Sequence, residues 1–249
     1  MSIELNEEQR DIIQCSFDMK EREILKIQAY AGSGKTTILK EIASAHHSSS
    51  FLYLSFNKAI ANEASKIFPK NVKVSTTHSL AYRYIVSRNK NFKIVNDYSV
   101  FDLCKILDTQ DFEEVMIFKS HLKDFLYSSS SLFPNKKVGK FFEKASAGII
   151  PLTHDVYLKM FQLLLREEKL LSEYDFILLD EAQDTNAVTL DIFLNNECKK
   201  ILVGDSFQNI YSFRGTIDAL SIVKAKYEKS LSYTFRTEES IVSEPLLLL

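Results

Sequence analysis

Ile24-Leu25-Lys26-Ile27-Gln28-Ala29-Tyr30-Ala31-Gly32-Ser33-Gly34-Lys35-Thr36-Thr37 is the stretch whose reading decides the fold. Ile24 to Tyr30 reads as a buried strand, the glycines as a tight turn, and the residues to about Ala45 as a helix. Residues 29–36 match the pattern G-x-x-x-x-G-K-T, with Ala29 in place of the first glycine. Glycines let backbone N–H groups curl around phosphate oxygens without a side-chain clash. The helix that follows points its positive end at the same anion. Ala31, Gly32, Ser33, Gly34, Lys35, Thr36 and Thr37 are therefore expected to cradle a nucleotide's phosphates. Lys35 would reach the β- and γ-phosphates, and Thr36 would ligate Mg²⁺.

Working outward, the chain alternates strand and helix. Asn6 caps a helix that runs to about Phe17, with Gln9 at capping-box spacing. Phe51–Leu54 predicts a second strand, Lys58–Phe68 a helix and Val72–Ser75 a short strand. Strand signals return at Phe176–Leu179 and Lys200–Val203, and a last strand is expected at Leu231–Tyr233. Such alternation predicts a parallel sheet with crossover helices. Between about Ala81 and Leu171 the periodicity is helical, broken near Ser128–Ser131 and Pro134. The expected division is an α/β lobe from residues 1–80 and 172–227, a helical insertion over 81–171, and the start of a second lobe over 228–249.

Leu178-Leu179-Asp180-Glu181-Ala182-Gln183-Asp184 ends a late apolar strand, and open α/β sheets bind ligands at the carboxyl ends of their strands. Asp180 there suits Mg²⁺ and Glu181 suits the polarisation of an attacking water, which a hydrolase needs and a small-molecule kinase does not. Lys plus Arg is 31 and Asp plus Glu is 33, for a net charge of −2. Nucleic-acid binding by overall charge is thereby excluded, and any such binding needs a local groove. Cys15, Cys104 and Cys198 are scattered and read as reduced thiols. The acidic start, without an apolar run, argues against a signal peptide, and no run approaches ~18 apolar residues. A cytoplasmic or nucleoid-associated protein, not secreted and not in a membrane, is expected.

Taken in order, these segments resemble superfamily 1 DNA helicases of the UvrD/Rep type, and most of all the F-box DNA helicase branch. The phosphate loop, Asp180–Asp184 and Val203–Gly215 look like motifs I, II and III. Leu5–Gln9 looks like the Q motif, Phe56–Ala59 like motif Ia, Thr77–Leu80 like the next DNA-side motif, and Tyr233–Arg236 like the start of motif IV. The resemblance implies a RecA-like P-loop core with parallel sheet, flanking helices and a helical insertion. It implies a DNA-stimulated ATPase using ATP and Mg²⁺ and acting on single-stranded DNA.

Roles follow by position. Gln9 would read the adenine edge, or merely close its helix; Gln183 and Gln208 would sense the γ-phosphate, and Arg236 would stabilise charge there. Phe56, Asn57, His78, Tyr211, Phe213 and Arg214 would line the DNA track. Phe213 stands where many relatives carry Trp; this chain has none. Core packing is the competing reading for Phe56 and Tyr211, and helix capping for His78. The family motor has two RecA-like lobes, whereas this sequence stops at Leu249 soon after motif IV. That suggests an interrupted frame, a fragment, or a chain completed by a second polypeptide that supplies the other lobe. The competing functions are another P-loop enzyme, such as a kinase, and a non-catalytic nucleotide- or partner-binding module.

Overall fold

The computed structural model describes residues 5–55, 57–208 and 217–233. From the N-terminus run α1 (Glu7–Asp18), β1 (Ile24–Ala29), α2 (Lys35–Ala45), β2 (Phe51–Ser55), α3 (Lys58–Ile67) and β3 (Val72–Thr76). Next come α4 (Thr77–Ala81), which continues as a π-helical turn over Tyr82–Val86, then α5 (Val100–Leu107), α6 (Phe112–Tyr127), α7 (Lys136–Ser146) and α8 (His154–Glu167). The chain ends its described course with β4 (Phe176–Leu179), α9 (Ala187–Leu194), β5 (Lys199–Gly204), α10 (Ala219–Ile222) and β6 (Tyr227–Leu231).

The six strands form one sheet in the order β3-β2-β4-β5-β1-β6. Every pairing is parallel, as a sheet built by crossover helices requires. This is a RecA-like P-loop α/β core. β2 is buried along its whole length, so its apolar run needs no alternation. β1 alternates: Leu25, Ile27 and Ala29 are fully buried among Ile12 of α1 and Ile38, Leu39 and Ile42 of α2. The capping box on α1 is complete. Asn6 Oδ1 accepts from the Gln9 backbone at 2.8 Å and Gln9 Oε1 accepts from the Asn6 backbone at 3.0 Å.

The chain divides into an α/β unit (residues 1–76, 171–185 and 196–249) and a helical unit (residues 77–170 and 186–195). The helical unit thus takes in α4, and also α9, which the sequence reading gave to the sheet lobe. α9 joins it through polar contacts: Asp191 accepts from Gln162 Nε2 and from Arg166 Nη2 of α8, both at 2.7 Å. The break at Ser128–Ser131 lies between α6 and α7, held by α8: Lys159 Nζ donates to the carbonyls of Ser128 and Ser130 at 2.8 and 2.6 Å.

The last strand differs from expectation too. It spans Tyr227–Leu231, not Leu231–Tyr233, and pairs with β1 in the same sheet. Residues 228–231 therefore extend the α/β unit instead of opening another lobe. Its polar surface disguises it in sequence: Glu228 and Lys229 face outward to Lys26 at 2.8 Å and Asp11 at 2.6 Å.

Candidate functional site

The phosphate loop lies between the carboxyl end of β1 and the N-terminus of α2. Gly32 and Gly34 both take left-handed backbone, with φ of 73° and 87°. Gly34 is the N-cap of α2 and offers no side chain to its first-turn amides. Those amides stay available to an anion, which is the arrangement that binds phosphate. Ser33 adds a second sign: its Oγ is buried and has no hydrogen-bond partner. An orphaned buried hydroxyl costs about 1–3 kcal/mol, and a phosphate oxygen would satisfy it.

The acidic strand end faces this loop across β5. Thr36 Oγ1 donates to Asp180 Oδ2 at 3.2 Å, and Lys35 Nζ pairs with Glu181 Oε2 at 3.0 Å. Thr36 and Asp180, expected from the sequence to ligate magnesium, therefore touch, as do Lys35 and Glu181. Burial pushes the Asp180 carboxyl up, and the Glu181 charge adds to it. The Tyr53 hydroxyl, the Glu181 backbone N–H and Lys35 pull it back. Tyr53, deep in β2, donates to Asp180 Oδ2 at 2.6 Å. Burial and the same carboxylate hold its phenol far above the ordinary range, so it stays a donor.

Glu181 adopts left-handed backbone, with φ 50° and ψ 47°, a costly conformation for a side chain of this kind. The turn aims its carboxylate at Lys35. Gln183, almost fully buried, then bridges two loops. Its Nε2 donates to Glu181 Oε2 at 2.9 Å, and its Oε1 accepts from the Asp205 backbone at 3.0 Å. The bridge fits only because residue 204 is glycine: a Cβ there would stand 2.4 Å from Gln183 Oε1. Gln9, besides capping its helix, keeps its Nε2 beside the loop, 3.9 Å from where a Cβ on Gly34 would lie. The capping and ligand-facing readings of Gln9 are thus compatible.

Gln9, Ser33, Lys35, Thr36, Asp180, Glu181 and Gln183 are brought together by one end of the sheet. Asn57 caps α3, its Oδ1 accepting from Ile60 N at 2.9 Å. His78 lies within α4, half-exposed, with Nε2 3.6 Å from Asp155 Oδ1. That contact is the largest influence holding the Asp155 carboxyl below its usual range. For Gln208 only the backbone is described, closing a short turn over Ser206–Gln208. Phe56, Tyr211, Phe213, Arg214 and Arg236 lie outside the described residues. Sequence reasoning missed Tyr53 and Gly204. A phenol in the middle of a fully apolar strand was the available signal for the first; nothing local marks the second.

The sequence profile of the AAA domain matches residues 9–214, spanning the phosphate loop, the acidic strand end and the segment after β5. The chain belongs to the AAA domain family. This AAA domain is 32% identical to F-box DNA helicase 1 of Gallus gallus over 272 aligned residues, covering 94% of the chain and 26% of that protein. It is 30% identical to F-box DNA helicase protein 1 of Schizosaccharomyces pombe, with 85% and 28% covered. A shorter match, 30% over 159 residues, is to the RecBCD enzyme subunit RecB of Buchnera aphidicola. The resemblance to superfamily 1 DNA helicases therefore extends beyond the motifs to nearly the whole sequence. The AAA domain spans about a quarter of the length of the two F-box helicases. No helix among the described residues is long and apolar enough to cross a membrane.

Proposed function

We propose that this AAA domain binds ATP with Mg²⁺ and hydrolyses it in response to single-stranded DNA, as the nucleotide-binding lobe of a DNA-translocating motor. One observation carries the reading: Thr36 meets Asp180 at 3.2 Å while Lys35 meets Glu181 at 3.0 Å, beside uncapped helix amides. A small-molecule kinase has no need of the Glu181 turn or of the Gln183 bridge to Asp205. A purely binding module has no need of a strained acid beside the loop lysine.

The residues divide the work. The loop amides, Ser33 Oγ and Lys35 Nζ bind the triphosphate. Thr36 Oγ1 and Asp180 would hold magnesium, which when bound neutralises charge across the β- and γ-phosphates. Tyr53 and the Glu181 N–H each donate to Asp180 and keep its carboxyl oriented for that purpose. With Lys35 drawn to phosphate, Glu181 Oε2 is released to orient water and accept its proton. Gln183, already bonded to that oxygen, carries the change to Asp205 and the Gln208 turn. Gln9 would take the adenine edge. Asn57, His78, Phe56, Tyr211, Phe213 and Arg214 would contact DNA, where base stacking is worth roughly 1–3 kcal/mol per base and tolerates any sequence. Arg236 would compensate charge at the γ-phosphate. An arginine that compensates the charge developing on the transferred phosphoryl group is worth about 10³ or more in rate.

Glu181→Gln should retain ATP binding and lose at least about 10²-fold in DNA-stimulated turnover. Lys35→Ala should weaken ATP binding itself. Unchanged turnover in Glu181→Gln, measured by steady-state phosphate release with and without oligo-dT, would remove the assigned base.

A further inference from the structure

Tyr30 is the second residue of the phosphate loop, and Phe207 sits in the turn after β5. Their rings stack, with centroids 5.9 Å apart and planes inclined by 15°. The pair stands largely in solvent: Tyr30 is 44% exposed and Phe207 79%. Core packing does not dictate the place of a ring so exposed, and a stack in water contributes little to holding the fold. What it does is join two loops at the carboxyl ends of neighbouring strands, β1 and β5.

Each ring is fixed to machinery already described. The Tyr30 carbonyl accepts from the Ser33 N–H at 3.1 Å, so the ring belongs to the turn that would wrap the phosphates. The Phe207 N–H donates to Asp205 Oδ1 at 3.1 Å, and the Asp205 N–H in turn reaches Gln183. Ser206 Oγ donates to Gln28 Oε1 at 3.3 Å, a further tie between this turn and β1. The turn over residues 205–208 is therefore held from two sides. Gln183 holds it from the acidic strand end, and Tyr30 holds it from the phosphate loop.

We propose that the Tyr30–Phe207 stack is a positioning contact that transmits phosphate-loop occupancy to the turn ending in Gln208. The proposal rests on the nucleotide reading above and adds a second route beside the Gln183 bridge. Filling the loop fixes the Ser33–Tyr30 turn, the Tyr30 ring fixes Phe207, and the backbone entering Gln208 is set in place. Phe207 touches neither the nucleotide nor the attacking water in this scheme and acts only through its neighbour.

Amide hydrogen exchange of the full chain tests it, with and without magnesium and ATPγS. In the unaltered chain, nucleotide should slow exchange over residues 205–208 by about threefold or more. Phe207→Tyr, which keeps the stack, should preserve that slowing. Phe207→Leu should abolish it while the affinity for ATPγS stays within about twofold, because no ligand contact is lost. A merely structural Phe207 would change exchange equally with and without nucleotide. Full nucleotide-dependent slowing in Phe207→Leu, or none in an unaltered chain that binds ATPγS, overturns the coupling alone. Failure of the unaltered chain to bind ATPγS overturns the nucleotide reading, and the coupling falls with it.

Discussion

Replacing Gly204 by alanine tests whether the Gln183 bridge is as tightly built as its distances imply. The new Cβ would meet Gln183 Oε1 at 2.4 Å, Leu220 Cδ1 at 2.9 Å and the Ala182 backbone nitrogen at 3.0 Å. The first is a side-chain end and can swing away, but doing so breaks the bond from Asp205 N–H. Asp205 is buried, so water does not readily replace that bond. Overpacking of this kind costs about 1–3 kcal/mol, and an unsatisfied buried donor costs a similar amount. Together they predict a loss of about 2–6 kcal/mol, or roughly 4–24 °C in melting temperature for a chain of this size. Circular dichroism during urea and thermal unfolding suits a chain without Trp. Combining the change with Gln183→Ala should recover part of the loss but not all, because the Ala182 backbone contact remains. A Gly204→Ala protein within about 0.5 kcal/mol of the parent would refute the reasoning.

Gly139, inside α7, gives the opposite sign. An added Cβ would meet Phe133 at an ordinary 3.5 Å, so Gly139→Ala should stabilise by roughly 0.5–1 kcal/mol, read by the same unfolding curves. Tyr53→Phe removes a donor from Asp180, whose carboxyl should rise further. The magnesium concentration for half-maximal binding of a fluorescent ATP analogue should increase about threefold or more, and an unchanged requirement would dissociate Tyr53 from the site. Burial lowers Lys159 to about 8 from the ordinary lysine value of 10.5. Between those values the unfolded chain holds a proton that the folded chain has released, so this group makes stability rise with pH across that window. Lys159→Met should flatten the rise in unfolding free energy between about pH 8 and 10, and an unaltered slope would show that the group titrates normally.

Much of this molecule was legible in sequence because the deciding signals are local. The phosphate loop, its strand and helix, the acidic strand end and β2 to β5 each announce themselves within a dozen residues or fewer. What escaped depends on distant partners. β6 looks polar because its charged side chains pair with Lys26 and Asp11, and its place beside β1 is a matter of pairing. Tyr53 reads as one more apolar position until Asp180, 127 residues away, arrives at its hydroxyl. Gly204 looks like a strand terminator until Gln183 folds over it. The capping box showed the reverse. Helix capping seemed a rival to an adenine-reading role for Gln9, but the cap uses the amide oxygen and leaves the nitrogen beside the loop, so the one does not exclude the other.

The return of α9 to the helical unit has a consequence for anyone who would dissect the protein. A deletion running from Thr77 to Leu170 looks like the removal of one inserted module, but it leaves residues 186–195 behind between two strands of the sheet. Val188, Ile192 and Phe193 of that orphaned helix are buried in the intact chain and would have no helical unit to enter. Asp191 would lose the hydrogen bonds from Gln162 and Arg166. An excision that respects the architecture must take both pieces and rejoin the chain twice. By the same logic, during synthesis the helical unit has to wait for β4 to emerge before its final helix exists.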